Sequence, residues 1–163
     1  MTLSAKKWLV RSVTFPVMLF PLTVAFADTA SEMPPPEAYC EWKVDNFAIN
    51  EPLCGYAGDA ERGKAIATDG SKGNCLACHL LPVEGIEAYG TIGPPLSGIG
   101  SRQSEGFIRL RVVDTRNINP MSIMPGFYRD PKLINRPGKP YLGRTFLTAQ
   151  QVEDVIAYLV TLK

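Results

Sequence analysis

Cys75, Cys78 and His79 stand in the order Cys-Leu-Ala-Cys-His. Two thiols separated by two residues can add to the two vinyl groups of a porphyrin, and an imidazole directly after them can reach the iron; this is the attachment pattern of a c-type haem. A zinc site would need further ligands close by, and a dithiol redox site would need no histidine. The spacing therefore points to one covalently attached haem c. The redox chemistry would belong to the haem, and the protein would set its ligands, exposure and partners.

His79 is the only histidine in the chain. A second histidine ligand from the same chain is excluded, leaving methionine, cysteine, a weaker group or nothing for the other side of the iron. Met33 lies in a Pro34-Pro35-Pro36 stretch that favours extended backbone. Met121 follows Pro120, and Met124 precedes Pro125-Gly126. Turn chemistry alone barely separates Met121 from Met124. A thioether ligand favours reduced iron and closes it to small molecules, as electron transfer requires. Gly93-Pro94-Pro95-Leu96 is a stiff turn whose Pro94 carbonyl can accept a hydrogen bond, and ligating imidazoles usually donate their second N–H to such a group.

The elements that must hold these groups begin after a leader. Lys6, Lys7 and Arg11 precede the mostly apolar Val13–Phe26, and Ala25-Phe26-Ala27 has the pattern of a signal-peptidase site. The apolar run contains Pro16 and Pro21 and is short for a spanning helix. Residues 1–27 read as a cleaved signal peptide, with no membrane span in the mature chain and a periplasmic location. Removing the three basic residues turns the net charge from +1 to −2, which gives no basis for binding nucleic acid. The charge is uneven, with 11 acidic and 4 basic groups over residues 28–87 against 5 and 10 over residues 88–163. Arg102, Arg109, Arg111, Arg116, Arg129, Lys132, Arg136, Lys139 and Arg144 form the basic stretch. It reads either as a steering surface or as a solvated face with a few partners for the haem propionates.

Residues 28–58 read as an N-terminal arm, with Tyr39, Trp42, Phe47, Ile49 and Leu53 packing on the body or on a partner. Cys40 and Cys54 suit a disulfide in an oxidising compartment. A bond to a partner subunit or to the iron is the alternative for either thiol. Residues 59–163 form one helical domain. Asp59 caps a first helix that ends near Asp69-Gly70, with Gly63 at a close crossing. A middle helix runs from Ser104 through Val113. A last helix begins at the Thr148/Gln151 capping box, with Val152, Val155, Ile156, Leu159 and Leu162 on one face. The intervening segments, rich in glycine and proline, read as long turns. The fold class is all-α: three to four helices with long loops around one haem.

Taken together, the Asp59–Ala67 helix, Cys75–His79, Gly93–Leu96, Met124 and Thr148–Leu162 resemble class I cytochromes c. The ordered set Gly73–His79, Ile92–Leu96, Asp114, Asn119-Pro120, Ser122–Gly126 and Leu147–Leu159 is similar, more narrowly, to the SoxX cytochrome subunits of sulfur-oxidation complexes. The resemblance covers residues 59–163 and leaves the Cys40–Cys54 segment outside. It implies that His79 and Met124 are the axial ligands, that the Pro94 carbonyl accepts from His79, and that Gly63 admits Tyr158. It also implies a heterodimer with a SoxA-like c-type cytochrome, which carries the catalytic site of an L-cysteine S-thiosulfotransferase joining thiosulfate to the carrier SoxYZ. This chain would then hold no catalytic residue and would relay electrons to a downstream soluble cytochrome c. A free-standing carrier between respiratory complexes, or a haem enzyme or gas sensor with an open distal site, would be the other readings of such a chain.

Overall fold

In a computed structural model of the chain, residues 36–163 are described; the leader, its cleavage site and Met33 lie outside them. Four α-helices occur among the described residues: α1 (Ala60–Thr68), α2 (Ile99–Arg102), α3 (Glu105–Asp114) and α4 (Ala149–Thr161). Short 3-10 turns punctuate the connections, and among the described residues the one bridge pairing is Asp45 with Ala48. No helix of this part is long and apolar enough to cross a membrane.

α4 starts as the capping box predicts. Gln151 N–H donates to Thr148 Oγ1 at 3.2 Å, and Thr148 N–H donates to Gln151 Oε1 at 2.9 Å. Val152, Val155, Ile156 and Leu159 are buried, but so are Glu153 and Asp154. The sequence reading assigned α4 one apolar face, whereas the structure buries its acidic side as well. α1 accounts for half of this. Its N-cap, Asp59, accepts from Arg62 N–H at 2.8 Å. A methyl carbon placed on Gly63 would run into the Asp154 carbonyl and lie 2.9 Å from Tyr158 Cβ. Only glycine allows the two backbones to approach so closely.

α3 accounts for the other half. It is buried on nearly every side, from Gly106 and Ile108 through Arg109, Leu110, Val112 and Val113 to Asp114, so its apolar period is unclear in the sequence. Arg109, read from sequence as part of the basic stretch, is 1% exposed. It donates through Nε and Nη2 to Glu153 of α4, through Nη2 to Glu105 and through Nη1 to the Ile49 carbonyl. α2 replaces part of what the sequence suggested was a plain turn: Gly100 N–H donates to Leu162 O at 2.9 Å, docking this single turn on the end of α4.

The arm packs on the body. Ile49 and Leu53 join the core at 2% exposure each. Ile49 N–H donates to Gly106 O at 3.0 Å, and Leu53 N–H donates to Glu153 Oε1 at 2.9 Å. Cys40 and Cys54 form a disulfide, with Cα atoms 5.6 Å apart. Tyr39 stacks on Tyr128, whose hydroxyl accepts from Cys40 N–H at 2.8 Å.

Candidate haem site

The Cys-x-x-Cys-His stretch is a single 3-10 turn, Cys75–Ala77, entered through Asn74 in the left-handed region. Cys78 N–H and His79 N–H both donate to Cys75 O, at 3.1 and 2.8 Å. Cys75 and Cys78 are both free thiols. Burial pushes the Cys75 thiol up to about 11, which disfavours the thiolate that disulfide exchange needs. No group of three or more metal-ligating side chains gathers among the described residues.

Residues 90–96 run beside this turn. Gly90, Gly93 and Leu96 donate their N–H groups to the carbonyls of Leu76, Cys78 and Leu80, at 2.7, 2.8 and 2.9 Å. That places Pro94 O 2.7 Å from His79 Nδ1. A carbonyl can only accept, so Nδ1 carries the proton and Nε2 is left with its lone pair, free to act as a ligand. Gly93 packs against the imidazole, and a methyl carbon there would clash with its ring atoms.

Cys75, Cys78, His79, Pro94 and Met124 all line one cavity of about 730 Å³. Its walls are mostly apolar, with Leu96, Ile99, Phe107, Ile108, Val112, Phe127, Val155 and Leu159 contributing from α2, α3, the following loop and α4. Met121 does not line it and is 86% exposed. The charged side chains lining the cavity are Lys72, Arg102 and Arg111, with no carboxylate among them. Thr115, wholly buried and lining the cavity, carries a hydroxyl with no partner among the described residues. A large apolar cavity with basic groups and an orphan hydroxyl, two thiols on one turn and an oriented imidazole fits a macrocycle that bears carboxylates. Of the predicted basic stretch, only Arg102 and Arg111 belong to the cavity. Arg109 is buried behind it, and Arg116 and Arg129 face Asp114. Lys72 and Thr115 went unnoticed in the sequence; Lys72's place three residues before Cys75 was the only available signal.

Fold and cavity together define a helical protein with room, and paired thiols, for a covalently attached haem. The chain belongs to the cytochrome c family, whose model matches residues 60–163, and it is an electron carrier of that family. Membership implies haem c, with which Cys75 and Cys78 are consistent. The chain is 33% identical over 105 residues to a "Cytochrome c-553-like" protein of Synechocystis sp., an alignment spanning 64% of this chain and 70% of that protein. It also matches a chain in the crystal structure of SoxXA from P. pantotrophus, with TM-score 0.68 and 37% identity over 76% of this chain and 95% of that one. The likeness to SoxX read from the sequence is thus borne out in structure, and it reaches beyond residues 60–163 into the arm.

Proposed function

We propose that this chain is the electron-relay subunit of a periplasmic SoxXA-type complex. The observation that carries this reading is the likeness to a SoxXA chain over 95% of that chain's length. The partner would be a SoxA-like c-type cytochrome, on which thiosulfate is oxidatively joined to SoxYZ, and a soluble cytochrome c would take the electrons onward. The mature protein would be residues 28–163.

Haem c supplies a one-electron couple when bound. Cys75 and Cys78 would hold it covalently, and His79 Nε2 and Met124 Sδ would be its iron ligands. His79 Nδ1–H donates to Pro94 O, which fixes the ring and raises its donor strength. The apolar walls would exclude water, and the Met124 thioether would favour the reduced state. No side chain of this chain acts as acid, base or nucleophile.

Copurification of the tagged chain with a larger c-type cytochrome, and reduction of its haem by thiosulfate and SoxYZ only in that complex, test the assignment. A monomer that ignores both sinks it. The match to the c-553-like protein favours a free-standing carrier as the second reading, and that monomer is its expected result. In Met124→Ala the weak long-wavelength band of the methionine–iron bond should vanish from the oxidised spectrum, and in Met121→Ala it should persist. The reverse pattern would transfer the ligand role to Met121.

A further inference from the structure

The loop that carries Met124 leaves the end of α3 at Thr115 and returns along α3 at Phe127 and Tyr128, whose N–H groups donate to Val112 O and Val113 O at 3.1 and 3.2 Å. Between these points it has little regular structure. Local turns shape it: Ser122 Oγ accepts from Met124 N–H at 3.2 Å, and Asn119 Oδ1 accepts from Met121 N–H at 3.1 Å. Such turns bend a loop but do not attach it to the body.

One carboxylate does. Asp114, the last residue of α3, is 6% exposed. Its Oδ1 accepts from Arg116 N–H at 3.2 Å and Arg116 Nε at 2.8 Å, and its Oδ2 accepts from Arg116 Nη2 at 3.1 Å. Arg129 Nε lies 3.6 Å from the same Oδ2. Arg116 opens the methionine loop and Arg129 closes it. Gly126, two residues after Met124, rests on this cluster: a methyl carbon there would lie 3.0 Å from Asp114 Cγ and 3.1 Å from Arg116 Nη2. The carboxylate therefore holds the opening end of the loop through Arg116, faces Arg129 at the closing end and backs the turn just after Met124.

We propose that Asp114 is a positioning residue for the axial methionine, a buried anionic clasp that holds the 115–129 loop so that the Met124 thioether is not free to leave. The idea rests on Met124 being the ligand. Breaking a partly buried charged network leaves guanidinium groups unpaired and loosens the chain they hold. A looser loop populates a methionine-off state, and any ligand that competes for iron gains apparent affinity in proportion to that population.

The test uses the holoprotein with intact thioether attachment. Asp114→Asn keeps the shape but removes the charge. Imidazole is titrated into the oxidised protein, and the long-wavelength methionine band is followed alongside far-UV circular dichroism. Expected is a roughly tenfold or greater gain in imidazole affinity and a weakened band, with helix content unchanged. Arg129→Gln, which opens only the closing end, should give the same change in smaller measure, and it carries the test should Asp114→Asn yield no folded protein. An imidazole affinity within about twofold of wild type in the folded variant, with an undiminished band, overturns the clasp. Met124→Ala is run beside them. If its band survives, the ligand assignment fails and takes the clasp with it; if its band is lost while the clasp variants behave as wild type, only the clasp fails.

Discussion

The turn at Gly93-Pro94 fixes the state of a single nitrogen. His79 Nδ1 is held 2.7 Å from the Pro94 carbonyl, and the absence of a side chain at Gly93 lets the ring lie there. Gly93→Ala should push the imidazole away from Pro94 O. We expect a loss of about 1–3 kcal/mol in stability from overpacking, measured by denaturant unfolding followed at the haem band. The potential should rise, because an imidazole that loses this hydrogen bond is a weaker donor and stabilises oxidised iron less. A potentiometric titration giving an unchanged or lower potential would refute the role assigned to that bond. At this scale the sequence was informative about ligand chemistry and silent about neighbours. Cys75, Cys78 and His79 lie within five consecutive residues, so their pattern shows in spacing alone. Met121 and Met124 differ only in where a loop puts them, and the structure lines the cavity with Met124 while leaving Met121 in solvent.

Helix boundaries were legible because capping is local: Asp59, Ser104 and Thr148 each accept from the N–H three residues on. The Gly63–Tyr158 contact was also foreseen, since a mid-helix glycine has few other uses. Pairings between distant carboxylates and guanidiniums were not, because nothing in a chain of ordinary surface residues says which are buried. Arg109 meets Glu153 across 44 positions. Glu153→Gln should cost less in urea unfolding than the about 3–5 kcal/mol of a fully unpaired buried charge, because Glu105 and the Ile49 carbonyl still accept from Arg109. The double change Arg109→Met with Glu153→Leu should cost more still, because it also leaves the Ile49 carbonyl and the Leu53 N–H without their partners. Asp154, at the α1–α4 crossing, makes a pH-dependent contribution. Burial alone would raise its pKa, but Arg62, the Asp59 N–H and Gln150 outweigh burial and hold it below the usual 3.8. A carboxylate depressed in the folded state stabilises fully above the unfolded value of about 3.9 and loses that contribution as pH falls through the folded one. The gap in Tm between wild type and Asp154→Asn should therefore be constant near neutrality and close below about pH 4. A gap independent of pH down to acid unfolding would remove Asp154 from the account.

The described molecule is a haem-binding body with an arm fastened to the side of α3 and α4. Three fasteners act at different points: the Cys40–Cys54 disulfide closes the arm on itself, Ile49 and Leu53 fill the core, and Arg109 and Glu153 take the Ile49 carbonyl and the Leu53 N–H. None of them lines the haem cavity, so arm and cavity should respond independently to mutation. Replacing both Cys40 and Cys54 by serine releases a loop whose closure is worth about 3 kcal/mol, and the midpoint of denaturant unfolding should fall accordingly. The absorption spectra of the oxidised and reduced protein should not change, because neither sulfur belongs to the iron's surroundings. The competing idea, that one of these thiols is an iron ligand, demands the opposite: a shifted haem spectrum at little cost in stability. The likeness to a SoxXA chain extends past residues 60–163 into this arm, which makes association a separate readout. An arm that serves only the fold would leave partner binding intact in the serine variant once the protein is folded. An arm that also forms part of the interface would weaken binding under conditions where helix content and haem spectra match wild type. We expect the first outcome at low temperature, because Arg109 and Glu153 still hold Ile49 and Leu53 in place. Binding should fail only as the arm detaches, near the lowered unfolding midpoint.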